Sequence, residues 1–321
     1  DSVTVSGITF MGNNGTAVEV TDSENSVIKD CVVKNVSDCG IWVNGGHNVS
    51  VENCEIYGIG GTGVVVSGGD RDTLNPSGHK VVGCDIHDFA QVSKTYNGGV
   101  RISGVGTCVQ NCRIYNGPHL GIAFSGNDHI IRNNDISAVL KEAADMGAIY
   151  AGRSMVNRGT VIEGNKIHDI SSSSTASGKY GVYLDDQLSG ITVKNNEFYN
   201  IAGSGVFVNG GRDNDVSQNS FRNVEESGII LSDWGRCYTV IGTTEFRSSY
   251  FGLDKVDYKK APYTKYPHLA TLLDDEPHTP KYNTIKQNTF EETGNSIKLA
   301  IHPDWGSDMT EDEMRTKNTI Q

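Results

Sequence analysis

Through most of the chain, apolar and polar positions alternate in short runs that each begin at a glycine. Gly40-Ile41-Trp42-Val43-Asn44-Gly45, Gly63-Val64-Val65-Val66-Ser67-Gly68, Gly99-Val100-Arg101-Ile102-Ser103-Gly104 and Gly181-Val182-Tyr183-Leu184-Asp185-Asp186 are four of eight such runs, the last beginning at Gly228. The first and third residues after the glycine are apolar. A period of two turns them to one side of a strand and leaves Trp42, Arg101, Tyr183 and Phe207 on the other.

A second motif alternates with the first. Asp30-Cys31, Asn53-Cys54, Gly83-Cys84, Asn111-Cys112, Asn133-Asn134, Gly164-Asn165, Asn195-Asn196, Gln218-Asn219 and Gln287-Asn288 each lead into a short β-branched or aromatic run. From Cys31 to Asn219 the repeats are 22 (112 to 134) to 31 (134 to 165) positions apart. That is the length of one coil of a parallel solenoid, in which like residues stack about 4.8 Å apart. Stacked Asn side chains hydrogen-bond along such an axis, and Cys fills the same small slot. The expected fold is all-β: one single-stranded right-handed parallel β-helix over 1–321. Cys31, Cys54, Cys84 and Cys112 should stack, buried and unpaired. Two stretches interrupt the repeat, a helix-compatible loop near 139–146 and a Tyr/Pro/Lys-rich excursion at 254–280, and long insertions on a solenoid are expected to line its functional face. The charged tail from Ser307 is expected to fray.

Composition narrows the function. Glycine is 38 of 321 residues, above the roughly 7% of average usage. A formal charge of -12 repels phosphate backbones, and no basic patch is interleaved with aromatics, so nucleic acid is excluded as a partner. No apolar run approaches the ~18 residues of a membrane helix. Seven cysteines, an odd number at irregular spacing, fit neither a disulfide framework nor a CxxC metal site. The chain starts in strand-like sequence (Val3, Val5, Ile8, Phe10), so a processed or truncated product of an exported, monomeric protein is expected.

An outward stripe of aromatics and arginine suits stacking on sugar rings, with Arg101, Tyr183 and Phe207 as binding residues. The strand ends are Ser-Gly, Ala-Gly or Asn-Gly except at Asp185-Asp186 and Ser232-Asp233, where the acidic residues are candidate functional groups. Asp145 follows Glu142 by three residues, so a helical turn would put both on one face. Paired carboxylates can divide the proton-donor and ionised roles that glycosidic hydrolysis needs. On a straight strand, however, Asp145 and Asp186 would lie ~20 Å apart, so either the loop folds Asp145 back over the strand or Glu142 is its partner. His119 and Arg153 are candidate anchors for substrate at the coil corners. His87 and His168 read as structural. No transition-metal spacing is present, although scattered Asp could hold calcium.

The segments Gly69-Asp70-Arg71-Asp72-Thr73-Leu74, Pro118-His119, Gly126-Asn127-Asp128-His129, Asp145-Met146-Gly147-Ala148-Ile149-Tyr150-Ala151-Gly152-Arg153 and Gly181-Val182-Tyr183-Leu184-Asp185-Asp186 resemble glycoside hydrolase family 141, pectate-lyase-like solenoids that include α-L-fucosidases and xylanases. The resemblance spans nearly the whole chain. It implies two catalytic aspartates at the positions of Asp145 and Asp186, although the family's Gly-Arg-Asp reads Gly152-Arg153-Ser154 here. The first expectation is therefore a glycoside hydrolase acting on a plant or microbial polysaccharide. The alternatives are a polysaccharide lyase, for which Arg101 and Lys179 would be the cationic cluster, and a non-catalytic carbohydrate-binding solenoid.

Overall fold

In a computed structural model, in which residues 2–171, 178–241 and 251–321 are described, short parallel strands stack coil upon coil around one axis. One face is an eleven-stranded sheet running from Thr4–Ser6 to Thr319–Ile320. The other two faces form one continuous sheet, because the late strands Ser220–Ser232 and Thr289–Ala300 turn the corner without a break. The chain is a parallel β-helix.

The corner between the first two faces explains the Cys/Asn repeat. The residue before each ladder position, among them Asp30, Asn53, Asn111, Asn133, Asn195 and Gln218, is in the left-handed region, which Asn, Asp and Gly enter at least cost. The bend drops the next side chain inside. Cys31, Cys54, Cys84 and Cys112 stack there buried and unpaired, as the spacing predicts. At Asn134 the ladder changes chemistry. The Cys112 amide donates to Asn134 Oδ1 (3.0 Å), and Asn134, Asn165, Asn196, Asn219 and Asn288 then pass amide hydrogen bonds of 2.9–3.1 Å from coil to coil.

Inside, Ile56, Ile86, Ile114, Ile136 and Ile167 form an aliphatic column that continues as the stacked rings of Phe198, Phe221 and Phe290. The glycines that open the third-face runs, Gly147 excepted, sit against this column. A Cβ on Gly205 would lie 2.3 Å from the Phe221 ring and one on Gly40 would lie 2.4 Å from the Gly63 carbonyl, so the repeat glycine is a packing requirement.

Three expectations are corrected. The loop near 139–146 is a turn rather than a helix. Val139, Leu140 and Ala143 are buried, which leaves Glu142 pointing outward. The excursion at 254–280 builds a second small core: Tyr258, Tyr263, Tyr266, Leu269 and Leu272 pack on Val105, Met155 and Val156. Buried Arg158 and Arg212 strap it down through the Pro267 carbonyl (3.0 Å) and Asp275 (2.6 Å). The tail is not frayed. Thr310 caps helix Glu311–Lys317 by accepting from the Glu313 amide (3.2 Å), acidic residues fill its first turn and basic ones its last, and Thr319–Ile320 completes the first face.

Candidate active site

Outward positions on the third face align as Trp42, Val65, Arg101, Ala123, Tyr150, Tyr183, Phe207 and Ile230. Two residues further along each strand, Ser103, Ser125, Gly152, Asp185, Asn209 and Ser232 form a parallel polar row. Where the two rows pass Tyr183 and Asp185, a cavity of about 390 Å³ opens, lined by Asp145, Arg153, Tyr183, Asp185, Asp186, Phe207, Asn209, Trp234 and His302. The sequence-predicted Asp145, Asp185, Asp186, Arg153, Tyr183 and Phe207 therefore converge.

Tyr183 has a different part from the one expected. It is only 3% exposed, its ring stacked on Phe207 (4.9 Å, 9°) and packed against Tyr180 and Tyr150, so no sugar can lie on it. Its hydroxyl donates to Asp145 Oδ1 (3.3 Å) and accepts from Asn209 Nδ2 (3.4 Å), which also donates to Asp185 Oδ1 (3.1 Å). The loop thus folds Asp145 back over the strand. Tyr183 and Asn209 thus join Asp145 and Asp185 in one hydrogen-bonded chain along the cavity lining.

The environments of the carboxylates differ. Asp185 is buried; it accepts from Tyr150 Oη (2.9 Å), Asn209 Nδ2 (3.1 Å) and the Asp186 amide (2.7 Å). Burial, and secondarily the Asp186 charge beside it, push its carboxyl above the usual carboxylate range, while the hydrogen bonds pull the other way. Asp186 is ion-paired with Arg153 (3.0 Å). Asp145 stands exposed at the rim.

Other expected residues are elsewhere. Glu142 lies in a separate pocket, ion-paired with Lys94 (2.6 Å), and is not the partner of Asp145. Asp233 is fully buried and touches no cavity. It accepts from His302 Nδ1 (2.6 Å) and so orients the imidazole that does line the site. His119 is buried outside this cavity, its basicity lowered by desolvation. Lys179 is buried and donates to the Ser171 carbonyl (2.9 Å), so it forms no surface cluster with Arg101. The 254–280 excursion contributes no lining residue. Arg101 is exposed and lines a neighbouring cavity of about 200 Å³. Among the described residues, no three His, Cys, Asp or Glu side chains converge in a group able to hold a metal ion.

Reading by residue type missed Tyr150, Asn209, Trp234 and His302. Asn209 occupies the slot of Asp185 in the adjacent coil, where register alone would have found it. Tyr150, third after Gly147, counts as inward by the glycine-led template. It faces outward because that coil is shifted by one residue, pairing Ile149 with Ile122 and Tyr150 with Tyr183. His302 and Trp234 follow paired strands of the last coils, where the glycine-led template breaks down.

No helix among the described residues is long and apolar enough to cross a membrane. No curated protein matches the chain. Among solved structures, the chain is similar to the A-module of the Azotobacter vinelandii mannuronan C-5 epimerase AlgE4, with a TM-score of 0.60, 12% identity and coverage of 99% of this chain and 83% of that one. It is also similar to PfbA, a surface adhesin of Streptococcus pneumoniae, with a TM-score of 0.43, 12% identity and coverage of 72% and 76%. At such identities the likeness is one of fold. Residues 1–97 and 73–244 match the family described as the right handed beta helix region. With most of its length matched and its coils stacked in parallel register, the chain belongs to the right-handed β-helix family.

Proposed function

We propose that the cavity around Tyr183 hydrolyses a glycosidic bond in a polysaccharide or oligosaccharide outside the cell, with Asp185 as proton donor and Asp145 as the second carboxylate. The Tyr183 hydroxyl carries this reading, because with Asn209 it links two carboxylates that line one cavity while their environments differ. A buried carboxyl with a raised pKa retains its proton long enough to hand it to the leaving oxygen. An exposed carboxylate can activate water or attack the anomeric carbon. The resemblance to glycoside hydrolase family 141 points to the same reaction class but to Asp145 with Asp186. Here Asp186 is instead a positioning residue, which raises the Asp185 pKa and holds Arg153.

Charge supports a neutral sugar at the cleavage point. Three carboxylates line the cavity, and Arg153 is already bound to one of them. A second reading, base-catalysed lysis or epimerisation of a uronate, is favoured by His302, whose ring is held by buried Asp233 in the same cavity. The fold shared with a protein named as a mannuronan C-5 epimerase is compatible with it.

One panel of plant and microbial glycans separates these readings. New reducing ends without ultraviolet absorbance support hydrolysis. Unsaturated-uronate absorbance supports a lyase, and solvent deuterium entering an uncut chain supports an epimerase; either result on the best substrate would replace the hydrolase reading.

Asp186→Asn tests the division of roles. It removes the like charge that holds the Asp185 carboxyl up, which lowers the Asp185 pKa. The protonated donor is then lost at lower pH, so the alkaline limb of the rate profile should move to lower pH. Loss of turnover at every pH would instead make Asp186 a catalytic residue.

A further inference from the structure

Next to the cleavage cavity lies the smaller one, lined by Tyr96, Arg101, Ile102, Leu120, Ala123, Phe124, Ser125, Tyr150, Ala151 and Gly152. The register explains its shape. Ala123 lies between Arg101 and Tyr150 in the outward row, and its short side chain leaves a notch between a guanidinium and an aromatic ring. Tyr150 connects the two cavities: it lines the notch, and its hydroxyl donates to Asp185 of the cleavage cavity. Gly152, directly in register with Asp185, keeps the path between them low.

The two cavities differ in charge. The cleavage cavity holds three carboxylates, whereas no acidic residue lines the notch and its one charged group is exposed Arg101. Among the described residues, no carboxylate lies within ion-pair distance of Arg101. In a protein of net charge -12, a cation left without a partner inside a pocket favours an anionic guest. A guanidinium presents a planar fork that matches an oxyanion with two parallel hydrogen bonds.

We infer that this notch is a distal subsite for a sugar bearing an oxyanion, held through Arg101, so that the substrate is an acidic glycan lying along the solenoid axis. Arg101 is three coils from Tyr183, about 14 Å at the 4.8 Å strand spacing. The acidic sugar therefore sits away from the neutral unit at the cleavage point. The account of what the subsite serves rests on the proposed cleavage site, but binding is measurable without turnover.

The test is calorimetric binding of oligogalacturonate, the same oligosaccharide after carboxyl reduction, and dextran sulfate, to the parent and to Arg101→Ala. The parent should bind the carboxylated or the sulfated probe, and whichever is bound identifies the oxyanion. Binding should weaken as salt rises, and Arg101→Ala should weaken it at least 10-fold, with unchanged circular dichroism. Arg101→Lys should recover part of the loss. The inference is overturned if the parent binds neither anionic probe, if it binds the reduced oligosaccharide as tightly as oligogalacturonate and ignores dextran sulfate, or if Arg101→Ala binds like the parent. Arg101-dependent binding with no cleavage of any glycan would sink the hydrolase reading and leave this one standing.

Discussion

Asp185→Asn is expected to lower kcat by a factor of about 10²–10⁴ on the glycan that the parent cleaves, the range over which a positioned acid contributes. The amide keeps the shape of the carboxyl and can still meet Tyr150 and Asn209, but it has no proton to deliver. Because burial and the Asp186 charge already disfavour the ionised form of Asp185, replacing it with a neutral amide should leave thermal stability unchanged or slightly higher. Asp145→Asn should cause a loss of similar size, because either half of the pair limits the reaction. Stopped assays with matched circular dichroism spectra provide the measurement. If Asp185→Asn keeps more than a tenth of the parental kcat, the donor is another group, and Asp145 with Asp186 becomes the pair.

Asn196→Ala should be the most damaging substitution in the coil corner. The Asn196 side chain donates to the Ile162 carbonyl (3.0 Å) and to Asn219 Oδ1 (3.0 Å), and accepts from the Asn165 amide (2.9 Å) and from Asn165 Nδ2 (3.0 Å). Alanine takes the side-chain acceptor from the Asn165 amide and breaks the amide column, although Asn219 Oδ1 keeps the Asn196 backbone amide and Asn165 Nδ2 keeps the Ile131 carbonyl. At about 1–3 kcal/mol for a buried group left without a partner, plus the other side-chain bonds lost, the cost should reach about 3 kcal/mol. Cys54→Ser in the same column should lose only about 1 kcal/mol, since a hydroxyl can still donate to the Glu52 carbonyl that the thiol reaches at 3.3 Å. Neither change should alter activity in the folded protein. Urea unfolding of both variants checks this; equal losses would mean that the amide column adds nothing beyond packing.

The fold was legible because each coil repeats two local signals with a mechanical cause. A left-handed residue ahead of a small buried one marks the corner, and a glycine ahead of an alternating run marks the strand packed against the Ile/Phe column. The candidate site was legible where the outward row carried Tyr183 and Phe207, at Arg153 on the coil edge, and where those signals broke, at Asp145 and at Asp185-Asp186. What escaped was whatever depends on neighbouring coils. Tyr183 points outward by periodicity, yet it is covered by rings from Tyr150, Tyr180 and Phe207. Asp233 breaks the template as conspicuously as Asp186, but it serves His302, 69 positions later and one coil away in space. The strand-length estimate that separated Asp145 from the other aspartates failed because a left-handed Asp145 turns the chain back over the sheet.

The asparagine column also bears on how such a protein changes length. Each member donates to the asparagine of the following coil and accepts from the one before, so every interior asparagine has the same two kinds of neighbour. Removing one whole coil would bring two equivalent ends together and let the column rejoin without a mismatched donor. Removing half a coil would not. Insertions and deletions in descendants of this chain should therefore come in units of one full circuit, or stay confined to the loops at the corners. The position of the proposed carboxylate pair along the rod, and the length of rod on either side of it, would then vary independently of the residues that form the cavity.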